Sequence, residues 1–406
     1  SFPDSKKSGD PNCTPTSNIP ADRATCVMRP FLFALDVNTG AILDWDAHVN
    51  DAVLALEVSA DGKQLYVGGR FTKIGGAAAG RIARLDIATA TQDPTFQPPR
   101  ADSGVQAIAL HGDVVYIGGN FGQLGTTPMP SAIAALDART GALRTDWTAP
   151  VNTGGRFVGH TGTPTEDGRT GVVYDLKVSA DGRYLFAGGD FLHIGGQGGL
   201  LTLDAATGRV SAWQAVMDMP RPVYGLDVWA GDGRSVIAAT GGPGGTAQFF
   251  DTGGAVNPKW IGRVDGDATD VVSTTQRVYL TGHYDHEVPN KNDPCLKHIP
   301  MTCSNGTPHR KLAAFDPLTG HADPSFTAQG NTPQGPYVGL VGRDHLYIGG
   351  DFTQIGPVDN LRNQPGFAQF DRISEPGPAP PVTTTSSTST STTSTSTTST
   401  TSTTST

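Results

Sequence analysis

No stretch of this 406-residue chain stays apolar over the roughly 20 residues that a bilayer-spanning helix needs, so the sequence offers no helical membrane span. Charge is sparse, at 17% of residues, and Lys plus Arg (29) fall short of Asp plus Glu (38). A net charge of −9 with no basic stripe argues against nucleic acid as a partner, because phosphate binding needs clustered cations. Cysteine is limited to four residues. Gly (52) and Pro (30) are abundant and make up about a fifth of the chain, which fits many short strands joined by turns and not a helical protein.

The cysteines fall in two local pairs, Cys13 with Cys26 and Cys295 with Cys303, each in a polar stretch. Four cysteines permit three pairings. The local one predicts two stapled loops and an exported, extracellular or cell-surface protein, since disulfides persist outside the cytosol. The chain opens at Ser1 with no visible signal peptide, so the export signal is expected on a segment not included here. Residues 374–406, first Pro-rich and then almost only Ser and Thr, have nothing to bury and read as a disordered linker.

The rest is repetitive. An apolar segment ending in Asp returns seven times, at Asp36, Asp86, Asp137, Asp204, Asp251, Asp316 and Asp371, with spacings of 50, 51, 67, 47, 65 and 55 residues. Before it comes an alternating strand such as "VLALEVS", a turn such as "ADGK", and a second strand ending in Gly-Gly-x-Phe. After it, an "xxTG" turn leads to a fourth segment closed by Trp45, Phe96, Trp147, Trp213, Trp260 or Phe326. Asp-Gly and Thr-Gly turns supply the positive φ that hairpins need. Four antiparallel strands per unit of about 50 residues predict an all-β, seven-bladed β-propeller over residues 1–373. Its first and last blades are incomplete: Ser1-Phe2 reads as the remnant of a Gly-Gly-Ser-Phe phrase whose front half lies upstream. Paired glycines in a strand predict a bulge or close backbone approach at a recurring inter-blade contact.

The copies "YVGGRFTKIGG…GRIARLD", "YIGGNFGQLG…SAIAALDARTG", "FAGGDFLHIGG…LLTLDAATG" and "YIGGDFTQIG…GFAQFD" resemble the delta-60 repeat β-propeller family, over about Ser1 to Ile373. The fifth and sixth units depart, with "VIAATGGPGGTAQFFD" and "YLTGHYDH". The resemblance implies the extracellular propellers of bacterial surface proteins and fungal cortical polarity markers, and no agreed catalytic residues.

Candidate chemistry is thin. His283, Asp285 and His286 are weak metal candidates, since their spacing matches no strong zinc motif. Asp-rich turns, including Asp265 and Asp267, would admit calcium. No nucleophile elbow or His-Glu-x-x-His occurs. The innermost strands carry Glu57, His111, Asp175, Lys177, Asp227 and Asp270. Alternation gives Glu57 and Lys177 corresponding positions, from which both would face one central channel. Tyr284 and Trp229 are candidates for exposed sugar-stacking aromatics. The leading expectation is a monomeric, non-catalytic binding or scaffold module for a protein or glycan partner. The alternatives are an exported hydrolase, lyase or quinoprotein acting in the channel, and a spacer within a larger surface protein.

Overall fold

The computed structural model describes residues 31–149, 154–158, 163–192, 198–242, 244–288, 307–331, 334–342, 345–357 and 359–371. The four cysteines, and with them the expected disulfides, lie outside these residues, as do the 373/374 domain boundary and the Ser/Thr segment. The described residues are all-β, with no helix.

Six antiparallel sheets follow one another along the chain. Their first strands are Val53–Val58, Val105–His111, Val172–Val178, Val223–Val228, Asp267–Ser273 and Gly335–Val341. In every sheet the first strand pairs with the second and the second with the third. Each first strand packs beside the first strand of the next sheet, so the six line one side of the molecule in a row, as in a propeller. Ahead of the first sheet, residues 31–49 supply only outer elements: the bridge Leu35↔Ile42 and the packing of Leu32, Ala47 and Val49 against Val67 and Phe71.

The expected four strands per unit are mostly three. Among the described residues only the fourth sheet has a full fourth strand, Trp260–Arg263. In the first, second, third and fifth sheets the fourth segment touches the third through one bridge, as in Leu85↔Gln92 and Leu136↔Leu143. Whether or not that strand forms, three closing indoles reach the next sheet. Trp45 Nε1 donates to the Ile87 carbonyl at 2.7 Å, Trp147 Nε1 to Ala205 at 2.8 Å and Trp260 Nε1 to Pro317 at 2.7 Å. Each acceptor follows a repeated Asp of the next sheet. Where the aromatic is Phe96 and has no donor, Tyr66 and Arg84 bond the equivalent Ala138 carbonyl.

The glycine pair serves two contacts. At the first glycine a Cβ would stand 2.8 Å from Val105 Cγ1 (Gly68), 2.6 Å from Val173 Cγ1 (Gly118) or 2.7 Å from Val223 Cγ1 (Gly188), each valine belonging to the next sheet. At the second glycine a Cβ would collide with a carbonyl of its own first strand or the residue before it, Ala52 for Gly69, Gly104 for Gly119 and Val172 for Gly189. The extra residue of the bulge sits in that first strand, opposite the glycines, between Val53 and Ala55 and at five equivalent places. The following phenylalanines, Phe71, Phe121, Phe191 and Phe352, are buried in the seams.

The repeated Asp works locally. Asp36 Oδ1 accepts from the Thr39 amide at 2.8 Å and hydroxyl at 2.9 Å, and Asp137, Asp204 and Asp316 repeat this with Thr140, Thr207 and Thr319. The threonine hydroxyls hold the Asp36 and Asp137 carboxyls below the usual range.

Candidate functional site: a charged cluster on the inner strands

The bulges fix which residues of the six inner strands share a level. Just past each bulge stand Ala55, Ala107, Asp175, Gly225, Asp270 and Val338; two residues on stand Glu57, Ala109, Lys177, Asp227, Val272 and Leu340. A strand repeats its facing every second residue, so these two levels point the same way. Five of the six residues expected on the innermost strands, Glu57, Asp175, Lys177, Asp227 and Asp270, therefore occupy two adjacent levels, contributed by the first, third, fourth and fifth sheets.

Lys177 is the centre. Its Nζ lies 3.8 Å from Asp175 Oδ1, and 40% of its side chain is open against 21% for Asp175. Asp175 first of all, then Asp227, Asp270 and Glu57, raise the proton affinity of the ammonium against the opposing effect of burial, so it is charged at any physiological pH. The group is walled by protein yet reached by solvent, which keeps the net energy of the pair modest.

The carboxyls divide by their hydrogen bonds. Asp175 accepts the Leu176 and Leu226 amides, both at 2.8 Å, and so brackets the third sheet to the fourth. Asp270 does the same between the fifth and sixth sheets, accepting Val271 at 2.8 Å and Gly339 at 2.9 Å. Room for Asp270 comes from Gly225, where a Cβ would collide with its carboxyl. Asp227 Oδ2 accepts the Ser273 hydroxyl at 2.6 Å. Asp175 and Asp270 thus spend both oxygens on bracketing two sheets, whereas Glu57, Lys177 and Asp227, which among the described residues is held by Ser273 alone, form no such bracket and are the groups placed to meet a ligand.

Burial pushes all four carboxyls up. Asp270 reaches about 7, with the Asp175 charge adding to burial and the Gly339 amide and Lys177 opposing. Asp227 reaches about 6, held from rising further by Lys177 and Ser273. Glu57 and Asp175 are raised by burial, each restrained chiefly by Lys177. The cluster combines a permanent cation with acids that titrate near neutrality. It presents hydrogen-bond donors and acceptors and, as the aspartates ionise, an excess of negative charge.

The other expected residues are not drawn in. His111 is exposed at the end of its strand, beside Gly182 of the third sheet. His283, Asp285 and His286 do not converge: His286 Nδ1 is 2.9 Å from Asp265 Oδ2, Asp285 Oδ1 is 3.1 Å from Lys311 Nζ, and His283 lines a cavity of about 410 Å³ with Asp285, Arg310 and Lys311. Among the described residues no three His, Cys, Asp or Glu side chains stand close enough to hold a metal ion. Asp265 is 1% exposed and accepts the Asp285 and His286 amides as well as the ring, so it organises a loop.

Tyr284 and Trp229 are not exposed platforms. Tyr284 is 2% exposed with its hydroxyl on the Leu280 carbonyl, and Trp229 packs edge-on to Phe249, with Nε1 on the Thr274 carbonyl at 3.0 Å. Tyr284 is tied back to its own sheet, and Trp229 is held between Phe249 of its own sheet and the Thr274 carbonyl of the next, a neighbour that the local sequence does not reveal. The two amide brackets also escaped the sequence reading, although Asp175 and Asp270 at one level of two strands was the available signal.

Comparison with known protein families and with curated proteins finds no match. Among solved structures, the chain is similar to Kuenenia stuttgartiensis hydrazine synthase (13% identity, TM-score 0.47, 77% of this chain and 79% of that one). It is also similar to the computationally designed Ika8 protein (12%, 0.45, 79% and 89%). A third likeness is to BamB from Moraxella catarrhalis (16%, 0.43, 82% and 78%). At these scores the likenesses carry no argument about function.

Proposed function

We propose that the protein is an exported or cell-surface β-propeller of the delta-60 repeat type that binds a protein or glycan partner, and that the cluster around Lys177 receives a cation-bearing, hydrogen-bonding group of that partner. The observation that carries this reading is that Lys177, 3.8 Å from Asp175, shares two adjacent levels of the inner strands with Glu57, Asp227 and Asp270, from four sheets in all. The Lys177 level repeats no residue type from sheet to sheet, as a purely structural position would. The cysteine pairs and the Ser/Thr-rich stretch support export. The chemistry of the cluster favours an amino sugar or a lysine or arginine side chain, for which Glu57 and Asp227 supply acceptors and Lys177 a donor.

The test is calorimetric titration with chitosan oligomers and with a lysine-rich peptide. Binding is expected for at least one, weakening at least tenfold in Glu57→Gln and in Asp227→Asn. Binding unchanged by both substitutions places the site elsewhere.

One observation favours a second reading, an exported hydrolase or lyase: Asp227 and Asp270 at about 6 and 7 lie where a general acid or base works best at neutral pH. Turnover of a polysaccharide with a bell-shaped pH profile, abolished in Asp227→Asn, would select it over binding.

A further inference from the structure

The six inner strands differ in one respect that their sequences do not announce. At the position one residue before the lysine level, Ile108 is 6% exposed, Leu176 0%, Leu226 1% and Val271 1%, whereas Leu56 of the first sheet is 51% exposed. Val58, two residues on and on the same face, is 51% exposed. In the second, third and fourth sheets these side chains seat over the first glycine of the preceding sheet: Ile108 Cδ1 would be 3.1 Å from a Cβ on Gly68, Leu176 Cδ1 3.2 Å from one on Gly118, and Leu226 Cγ 3.1 Å from one on Gly188. Val53 and Leu56 have the same knobs and no glycine beneath them among the described residues.

The backbone ahead of the first sheet carries an independent sign. Third strands begin after a residue in the left-handed region: Arg81 (φ 70), Ala132 (φ 52), Lys311 (φ 72) and Gly366 (φ 76). In each of these sheets that residue's carbonyl accepts the amide of a glycine in the second strand: Gly69 to Arg81 at 3.0 Å, Gly119 to Ala132 at 3.2 Å, Gly282 to Lys311 at 3.1 Å and Gly350 to Gly366 at 3.1 Å. Phe31 has φ 68 and stands 50 residues before Arg81, just as the bridge Leu35↔Ile42 stands 50 before Leu85↔Gln92. A phenylalanine in this conformation is strained and persists only where the surroundings impose it. Phe33, in the place of fully buried Ala83, is 47% exposed. At the far end of the row, Gly349 lacks the valine of a following sheet; a Cβ there would meet only Val338 of its own sheet.

The geometry points to a docking site for one β-hairpin of this same repeat type. Its second strand would pair with residues 32–36 and place a Gly-Gly step under Val53 and Leu56, with the second glycine donating to the Phe31 carbonyl. Its first strand would lay a branched apolar residue over Gly349 and close the row into a ring. In every sheet the hairpin directly precedes the third strand, so the occupant takes the place that a hairpin ahead of the Phe31 segment would hold. Residues 1–30 contain no Gly-Gly pair, so they do not supply it.

The probe is a synthetic peptide copying this chain's own Val105–Phe121, "VQAIALHGDVVYIGGNF". It is added to the 406-residue chain and, because isolated hairpins are marginal, is also fused through a flexible linker ahead of Ser1. A saturable rise in thermal midpoint is expected in at least the fused form. It should be accompanied by hydrogen-exchange protection of the Leu35 and Phe33 amide region. Both effects should vanish when the peptide's glycine pair is changed to valines, or when exposed Leu56 is changed to Asp. No rise in the fused form, or a rise that survives both changes, overturns the proposal. A concentration-dependent dimer dissolved by Leu56→Asp, with no response to the hairpin, would assign the face to a second copy instead. Neither result bears on Lys177, so this inference and the binding reading stand or fall separately.

Discussion

The seams between sheets and the face of the inner strands that bears Lys177 obey opposite rules. At the seams the same contact is made again and again: a glycine under a valine and a branched apolar residue, a buried phenylalanine, an indole on the next sheet's carbonyl. On the Lys177 face the same two levels hold Ala107 and Ala109 in one sheet, Asp175 and Lys177 in the next, and Val338 and Leu340 in the last. Repetition marks what every sector needs in order to pack. Departure from it marks where five charged groups were placed despite the cost of burying them.

The largest test of this contrast is within one position. Leu176→Ala opens a cavity in a filled seam and is expected to lower unfolding free energy by about 2–5 kcal/mol in urea titration. Leu56→Ala, on the bare flank, should change it by no more than about 0.5 kcal/mol. Equal losses would show that the flank is filled and erase the distinction. Next comes Gly119→Ala, whose new Cβ collides with the Gly104 carbonyl; the strain is expected to cost about 1–3 kcal/mol. Gly349→Ala, with only the Val338 side chain 3.0 Å away, should cost less.

The Lys177 face is sharpened by charge. Lys177→Met removes the chief influence lowering Asp227, so the Asp227 titration followed by NMR should move up from about 6. An unmoved midpoint would mean that the five groups do not form one cluster. The last effect is on pH-dependent stability. Asp227 and Asp270 keep their protons in the fold to about 6 and 7, above the roughly 3.9 of an unfolded aspartate. Unfolding then releases protons between these values. Their contribution is full below about pH 4 and is lost as pH rises to about 7. In Asp227→Asn/Asp270→Asn the chemical-denaturation midpoint should lose this slope; a slope retained in full would assign it to other groups.

Much of the scaffold was legible in the sequence because its contacts repeat. "YVGGRF" and its copies state that a strand must bulge and let a neighbour in, and Asp-x-x-Thr-Gly states a turn with its own hydrogen bonds. Period-two alternation placed Glu57 and Lys177 at one level. The fourth strands were overstated: in the first, second, third and fifth sheets that segment meets the third strand through one bridge. Tyr284 and Trp229 were misjudged because exposure depends on which neighbouring element covers a ring.

By itself the sequence determined the all-β repeat, the hairpin order within each sector and the identity of the charged residues on the inner strands, because these follow from backbone preference and local periodicity. Only the tertiary structure decided that Asp175 and Asp270 bracket adjacent sheets while Glu57, Lys177 and Asp227 form no such bracket, and that Leu56 is bare where Leu176 is buried. Those outcomes depend on side chains far apart in the chain meeting in space, and on the screening and burial that such meetings create.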